Sequence, residues 1–264
     1  MAQQELWQIA GSAAEVYEQD LVPAIFGPWA AVVVDLASPS PGHHVLDVAC
    51  GTGTLAREAA ERVGPSGKVI GVDLNPGMLA VARSIAPTIE WREASANDLP
   101  FTEGSFNVVY CQLGLQYFPD RLVALREMHR VLRPSGCLGL MVWGSINESP
   151  GFAALANALE RHVNADAAAI MRAPFCLSDG DALASLVRSA EFKDVAIAVR
   201  AGTVRFPSTE RFVHSFVAGS PLAAHVSEAA LQLLTSDIRN EMRPLVNDGA
   251  LTFRITAQLL SART

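Results

Sequence analysis

One segment limits the folds open to this chain more than any other. Val45-Leu46-Asp47-Val48-Ala49-Cys50 is a short apolar run, and Gly51-Thr52-Gly53 follows it at once. Uninterrupted apolar runs of this length suit strands buried on both faces, as in a parallel sheet. Glycines placed directly after such a strand let the backbone turn sharply and approach a ligand closely, and the N-terminus of the next helix favours negative charge. A helix is predicted from near Thr54 to about Val63, where Gly64-Pro65-Ser66-Gly67 stops it.

The alternation then repeats. Residues 68–73 read as a second buried strand, and Asn75-Pro76-Gly77 leads into a helix from about Met78 to Ile85. Strands are expected at 89–93, 106–111 and 137–143, with a helix from Arg121 to Leu132 before the last of these. Strand–helix alternation implies a parallel sheet covered on both faces, and right-handed crossovers make it doubly wound. Beyond residue 145 helices are expected at 152–163 and 179–190, with strands at 195–206 and 251–260. The expectation is an α/β fold with a mostly parallel seven-stranded sheet and a helical lid. It is read as one domain over residues 1–264, with an N-terminal helical lid at 1–40, broken near Pro23 and Gly27-Pro28, a core at 41–145, and the C-terminal part of the sheet at 146–264 with a helical insertion at about 207–247.

Composition narrows the function classes. Half of the residues are hydrophobic and 18% are charged, which excludes an intrinsically disordered chain. Twenty basic residues stand against 27 acidic ones, and only Lys68 and Lys193 are lysines. That pattern shows no basic patch, so no nucleic-acid partner is expected. The four cysteines form no C-x-x-C pair and no zinc spacing, so no metal is expected, and reduced thiols in a cytoplasmic protein follow. The start Met1-Ala2-Gln3-Gln4-Glu5 lacks a targeting pattern. Apolar runs such as 29–34 and 138–143 fall well short of the ~20 residues of a membrane span. A protein without a membrane span, monomeric or homodimeric, is expected.

The ligand class comes from three places. Gly51-Thr52-Gly53-Thr54-Leu55-Ala56 matches G-x-G-x-x-A, which suits a dinucleotide or another nucleoside ligand. Asp47 lies inside the apolar strand, and a buried carboxylate needs a partner. It can hold the glycine loop through backbone N–H groups, or face a cationic ligand. A pyrophosphate gains little from it, whereas a ligand carrying an ammonium and a sulfonium gains much. Asp73 ends the second strand twenty residues after Gly53, where an acidic side chain hydrogen-bonds ribose hydroxyls. NAD and S-adenosylmethionine both carry that ribose. A short-chain dehydrogenase would need Tyr-x-x-x-Lys, but Gly64 and Ser189 stand four residues before the two lysines.

Taken in series, the segments 45–53, Asp73-Leu74-Asn75-Pro76-Gly77-Met78-Leu79, Asp98-Leu99-Pro100-Phe101, Tyr117-Phe118-Pro119-Asp120 and 131–138 resemble the class I S-adenosylmethionine-dependent methyltransferases. The resemblance is to the ubiquinone/menaquinone-biosynthesis-like, type 11 small-molecule group, and covers roughly residues 40–145. It implies a Rossmann-like fold and S-adenosylmethionine as cofactor. It further implies that Ala49, Gly51 and Gly53 line the methionine moiety and ribose, that Asp73 holds the ribose hydroxyls, that Leu74 and Met78 pack on the adenine, and that Tyr17 closes over the cofactor carboxylate. The Cys111-Gln112-Leu113-Gly114 segment, just after the fourth strand, is expected to form a pocket wall, with Gln112 able to contact cofactor or acceptor. The chain departs from the pattern at Ala94-Ser95-Ala96, where members often have Gly-Asp-Ala, leaving Ser95 or a backbone carbonyl to meet the adenine amino group, with Ala96 also expected in the cofactor site. Asn107 is a second departure, at a position where an aspartate is customary.

Methyl transfer is an in-line displacement on an already activated cofactor, so positioning and water exclusion matter more than acid–base chemistry. Where a general base is needed, histidine is the usual choice. His214, in Phe212-Val213-His214-Ser215-Phe216 of the expected lid, is the first candidate, ahead of His162 and His225. His129 and the His43-His44 pair are expected away from the pocket. Trp143, Arg172 and Phe175 are candidates to line the acceptor cavity. The expected reaction is methyl transfer to a small, partly hydrophobic acceptor, natural-product or quinone-like, at oxygen, nitrogen or carbon. The alternatives are an enzyme of the same fold that keeps the cofactor but cyclises or isomerises, and a noncatalytic cofactor-binding partner.

Overall fold

A computed structural model describes residues 13–264. Its sheet contains β1 (His44–Val48), β2 (Lys68–Asp73), β3 (Glu90–Glu93), β4 (Phe106–Gln112), β5 (Leu132–Trp143), β6 (Lys193–Phe206), β7 (Val246–Asn247) and β8 (Ala250–Arg263). The helices are α1 (Ala13–Val16), α2 (Ala30–Ala37), α3 (Thr54–Val63), α4 (Pro76–Ile85), α5 (Arg121–Val131), α6 (Pro150–His162), α7 (Ala165–Arg172), α8 (Gly180–Ser189), α9 (Thr209–Ala218) and α10 (Glu228–Glu241). The strand order is β3-β2-β1-β4-β5-β8-β6. The first five strands pair in parallel, and β8 runs antiparallel to both β5 and β6. The expected seven strands are all present. The eighth, β7, is a two-residue strand that pairs β8 across Asp248-Gly249, too short to show any periodicity.

β1 explains itself from its residues. It lies between β2 and β4, so both its faces are covered, and Val45 packs on one face of the sheet while Leu46 packs on the other. The order 2-1-4 reverses direction at β1, so a crevice opens beyond the carboxyl ends of β1 and β4. Two cavities lie there. Asn107, inside β4, ties the sheet at the opposite end. Its side-chain oxygen accepts from the backbone N–H of His44 at 2.8 Å and from Arg133 at 3.2 Å.

The N-terminal segment differs most from expectation. The sequence predicts a helix broken near Pro23 and Gly27-Pro28. Residues 3–12 of it lie outside the described residues, and Ala13–Ala37 is one helical stretch of 25 residues. It absorbs Pro23 by widening to a π-helix over Tyr17–Phe26 and tightening to a 3-10 turn over Gly27–Trp29. Proline has no N–H to give and clashes with the preceding turn of an α-helix, and a π-bulge relieves both. By length and a mean hydropathy of 1.5 this stretch could span a membrane, which no single apolar run suggests. Here it is packed on the sheet. Val33 and Val34 are inaccessible, and Tyr110 on β4 donates its hydroxyl to the carbonyl of Val34 at 2.7 Å.

The helical cover is larger than the sequence suggests. α9 and α10 fall inside the expected insertion, but over the crevice α9 is joined by α6, α7 and the turn Ala173–Phe175. Phe152 on α6 is their hub, with Phe175, Phe212, Phe216 and Phe253 rings 5.3–5.8 Å away, three of the four edge-on. Aromatic pairs of this kind add about 0.5–1.5 kcal/mol each beyond area burial.

Candidate functional site

Two adjoining cavities fill the crevice. The smaller is lined by Tyr17, Phe26, Asp47, Thr52, Thr54 and neighbours in the glycine loop. The larger, about 1170 Å³ including its mouth, runs from Gly51, Asp73 and Leu74 to the aromatic cover. Tyr17, Phe26, Ala49, Gly51, Gln112 and Leu113 line both.

The loop after β1 is built on strained backbone. Ala49 has φ +58°, and Gly51 and Gly53 have φ +55° and +86°. Opposite, Leu113 after β4 has φ +59°. Left-handed non-glycine residues cost of order 1–3 kcal/mol each and gather at ligand-binding sites. Two of the glycines are needed for space. A Cβ on Gly53 would strike the Trp91 ring, and one on Gly114 would come 2.6 Å from the Cβ of Ala49. The two loops are therefore pressed together at the sheet's switch point. Gly53 itself lines neither cavity: its job is to let α3 start against Trp91, with the loop held in front of it.

One role expected of Asp47 falls to Asp73. Asp73, not Asp47, holds the glycine loop, accepting the N–H of Gly51 at 2.8 Å on one oxygen and that of Asn75 at 2.8 Å on the other. Burial raises its pKa, and those N–H donors only partly offset the shift. The Leu74 N–H is also directed at the carboxylate, which leaves one of its four lone-pair sites for a ligand hydroxyl. Asn75 then caps α4, its side-chain oxygen accepting from Gly77 at 2.9 Å and Met78 at 3.1 Å, so the helix begins two residues earlier than the sequence suggests. Leu74 and Met78 line the larger cavity beside Asp73.

Asp47 is 1% exposed, and its Oδ2 has no hydrogen-bond partner. Burial first, and the nearby Asp73 charge second, push its carboxyl up to about 8, although the N–H of Ala56 in the first turn of α3 is directed at it. A buried acid left half-satisfied is costly unless a ligand completes it. Nearby, Arg57 pairs with Glu18 at 2.9 Å and donates to the Thr52 carbonyl at 2.7 Å, joining the N-terminal segment to α3.

Tyr17 and Phe26 stack with ring centroids 4.9 Å apart and planes 16° apart. In an α-helix, residues nine apart are about two and a half turns apart and face opposite sides. The π-helix between them puts both on the ligand side. Gln112 fixes this wall by donating its side-chain amide to the Phe26 carbonyl at 3.0 Å. Burial also raises the Tyr17 phenol far beyond its ordinary range.

Several expected positions lie elsewhere. Ser95 does not line either cavity and accepts from the Asn97 N–H at 3.2 Å, while Ala94 and Ala96 supply that wall. His214 is exposed on α9 and lines neither cavity, because the helix turns Phe212, Val213, Ser215 and Phe216 inward around it. His162 is paired with Asp237 at 2.9 Å, His129 lies against Phe192, and His225 is exposed. Arg172 points away and pairs with Glu160 at 2.6 Å, whereas Trp143 and Phe175 do line the larger cavity. Leu113 lines both cavities, as its segment is expected to, whereas sequence reasoning missed Phe152, Phe216, Met171, Gln116 and Tyr117. The last two had one signal, a polar residue inside Leu113-Gly114-Leu115-Gln116-Tyr117-Phe118.

Residues 45–136 match the methyltransferase domain family. The chain is 39% identical over 129 residues to the chloroplastic 2-phytyl-1,4-beta-naphthoquinone methyltransferase of Arabidopsis thaliana, a match covering 46% of this chain and 49% of that one. It is 47% identical over 93 residues to the demethylmenaquinone methyltransferase of Chlorobaculum parvum, covering 35% and 38%. The chain thus spans about half the length, or less, of these relatives. Its fold resembles the Haemonchus contortus phosphoethanolamine N-methyltransferase 2, solved with S-adenosyl-L-methionine, at a TM-score of 0.61 and 17% identity over 95% of this chain and 56% of that one.

Proposed function

We propose, from the match of residues 45–136 to the methyltransferase domain family, that the protein is a class I methyltransferase that transfers a methyl group from S-adenosylmethionine to a small, quinone-like aromatic acceptor. The observation that carries the reading is the unpartnered Oδ2 of buried Asp47, set beside a loop that Asp73 holds open. The residues fit the cofactor. The carboxylate of Asp47 answers a cationic amino-acid end, the carboxylate of Asp73 answers a ribose hydroxyl, and Leu74, Met78, Ala94 and Ala96 form an apolar slot for a base. When bound, the cofactor supplies a sulfonium-activated methyl group.

The chain's own contribution is positioning and exclusion of water. Tyr17 and Phe26 form a stacked wall shared by both cavities. Trp143, Phe152, Phe175 and Phe216 make the far chamber apolar and aromatic, which selects a hydrophobic acceptor and strengthens electrostatic interactions inside it. No histidine lines either cavity among the described residues, and the two lining acids sit at the glycine-loop end. Catalysis on this reading needs no histidine base.

The test is transfer of a labelled methyl group from S-adenosylmethionine to a panel of hydroquinones and naphthols. Label in the aromatic product is the expected result. An acceptor that is cyclised or isomerised without label overturns methyl transfer in favour of another reaction on the same fold.

A further inference from the structure

Gln116 is inaccessible to solvent, yet it lines the larger cavity. Its side-chain amide is oriented by chemistry: the Leu113 carbonyl, 2.7 Å away, only accepts, so the group facing it is the NH2. The other end, Oε1, is buried and has no hydrogen-bond partner. Leu113, the residue that pins it, is itself held at φ +59°. The chain therefore uses strained backbone to hold a buried acceptor atom in place with nothing to satisfy it.

We infer that Gln116 is the acceptor-recognition residue, its Oε1 accepting a hydrogen bond from a hydroxyl on an uncharged aromatic ring system held in the chamber. This rests on the methyl-transfer reading and deepens it. The class follows from the surroundings. The walls nearest the cover are Trp143, Phe152, Phe175, Phe216, Met171 and Pro174, none of them charged. Among the described residues Asp73 is the only aspartate, glutamate, lysine, arginine or histidine lining this cavity, and it belongs to the glycine-loop end. The Gln116 amide also faces the phenol of Tyr117, whose own pKa burial raises strongly, so the polar spot stays neutral around neutral pH. A buried carbonyl oxygen discriminates by what it loses: an analogue that cannot donate leaves it unpaired, and that desolvation is not recovered. Accepting from a ring hydroxyl also shifts electron density towards the acceptor's oxygen and ring, the direction an attack on an electrophilic methyl group needs. Gln116 acts here as a positioning residue, not a proton acceptor.

The experiment measures binding of three probes to the protein saturated with S-adenosylhomocysteine: 2-naphthol, 2-methoxynaphthalene and 1-naphthylmethylammonium. The wild type is expected to prefer 2-naphthol over 2-methoxynaphthalene by about tenfold or more, the scale of one buried hydrogen bond. Gln116→Met, similar in length and apolar, is expected to erase that preference while S-adenosylhomocysteine binds as before. A wild-type ratio near one, a ratio unchanged in Gln116→Met, or tightest binding of the ammonium overturns the inference. Should Gln116→Met fail to bind S-adenosylhomocysteine, the wild-type ratio decides alone. Failure of the wild type to bind S-adenosylhomocysteine is a different outcome, and it overturns the methyl-transfer reading together with the inference.

Discussion

The two ends of the crevice are made by different means. The glycine-loop end is backbone: Ala49, Gly51 and Gly53 at positive φ, N–H groups accepted by Asp73, and a half-satisfied Asp47 behind them. The covered end is side-chain volume: Phe152, Phe175 and Phe216 carried on α6, the 173–175 turn and α9. Backbone geometry admits few residues at each position, so the first end is rigid in chemistry. Volume can be filled many ways. The first end is thus suited to a fixed ligand and the second to one that differs among proteins of this fold.

If that contrast holds, substitutions at the two ends separate cofactor binding from acceptor use. The largest effect is expected from Gly53→Val, which forces a side chain onto Trp91 at φ +86°. A destabilisation of about 2–4 kcal/mol with loss of S-adenosylhomocysteine binding is expected, read by denaturant unfolding and calorimetry. Normal binding would mean the loop is not held by that contact. Next, Asp73→Ala removes the acceptor for the Gly51 and Asn75 N–H groups and should weaken cofactor binding by about 1–3 kcal/mol. Phe216→Ala, at the other end, should lower turnover of aromatic acceptors and leave cofactor affinity within about twofold, the loss being one of packing on the acceptor side. Equal losses in both would break the division between the two ends.

Asp47 offers a pH test of the same contrast. Its carboxyl is raised to about 8 in the folded chain, so folding takes up a proton between the ordinary carboxylate range and that value. The folded state then binds more protons than the unfolded one, and ligand-free stability should fall as pH rises from about 5 to about 8. Asp47→Asn should flatten that slope, keep or raise ligand-free stability, and still weaken cofactor binding. An unchanged slope in Asp47→Asn, followed by thermal unfolding across this range, would place the titration elsewhere. The smallest effect is expected for His214→Ala, whose ring is exposed: stability should stay within about 0.5 kcal/mol and turnover should not change.

The same division explains what could be read beforehand. β1, the loop, α3 and Asp73 were legible because each demand falls on residues close in sequence, and α3 spans the same residues 54–63 in the chain and in the fold. Asp47's need for a partner was legible too, but not that Asp73 would take the Gly51 N–H, since that bond spans 22 positions. The nearness of Phe26 to Tyr17 could be read from the sequence, but not its means: α-helical periodicity puts the two on opposite sides, and only the π-widening around Pro23 reverses this. His214 was misplaced because its aromatic neighbours marked the right helix but not which side faced in. Gln116 could not be ranked from sequence, as its importance lies in one unpaired atom.

The most direct measurement of the central claim is a calorimetric titration of S-adenosylhomocysteine into the wild type, repeated across pH and in buffers of different ionisation enthalpy. A cationic ligand meeting Asp47 must displace its proton below about pH 8, so one molecule should bind per chain with proton release there, and the released fraction should vanish in Asp47→Asn. Binding without any proton release, or no binding at all, would contradict the assignment of this crevice to S-adenosylmethionine.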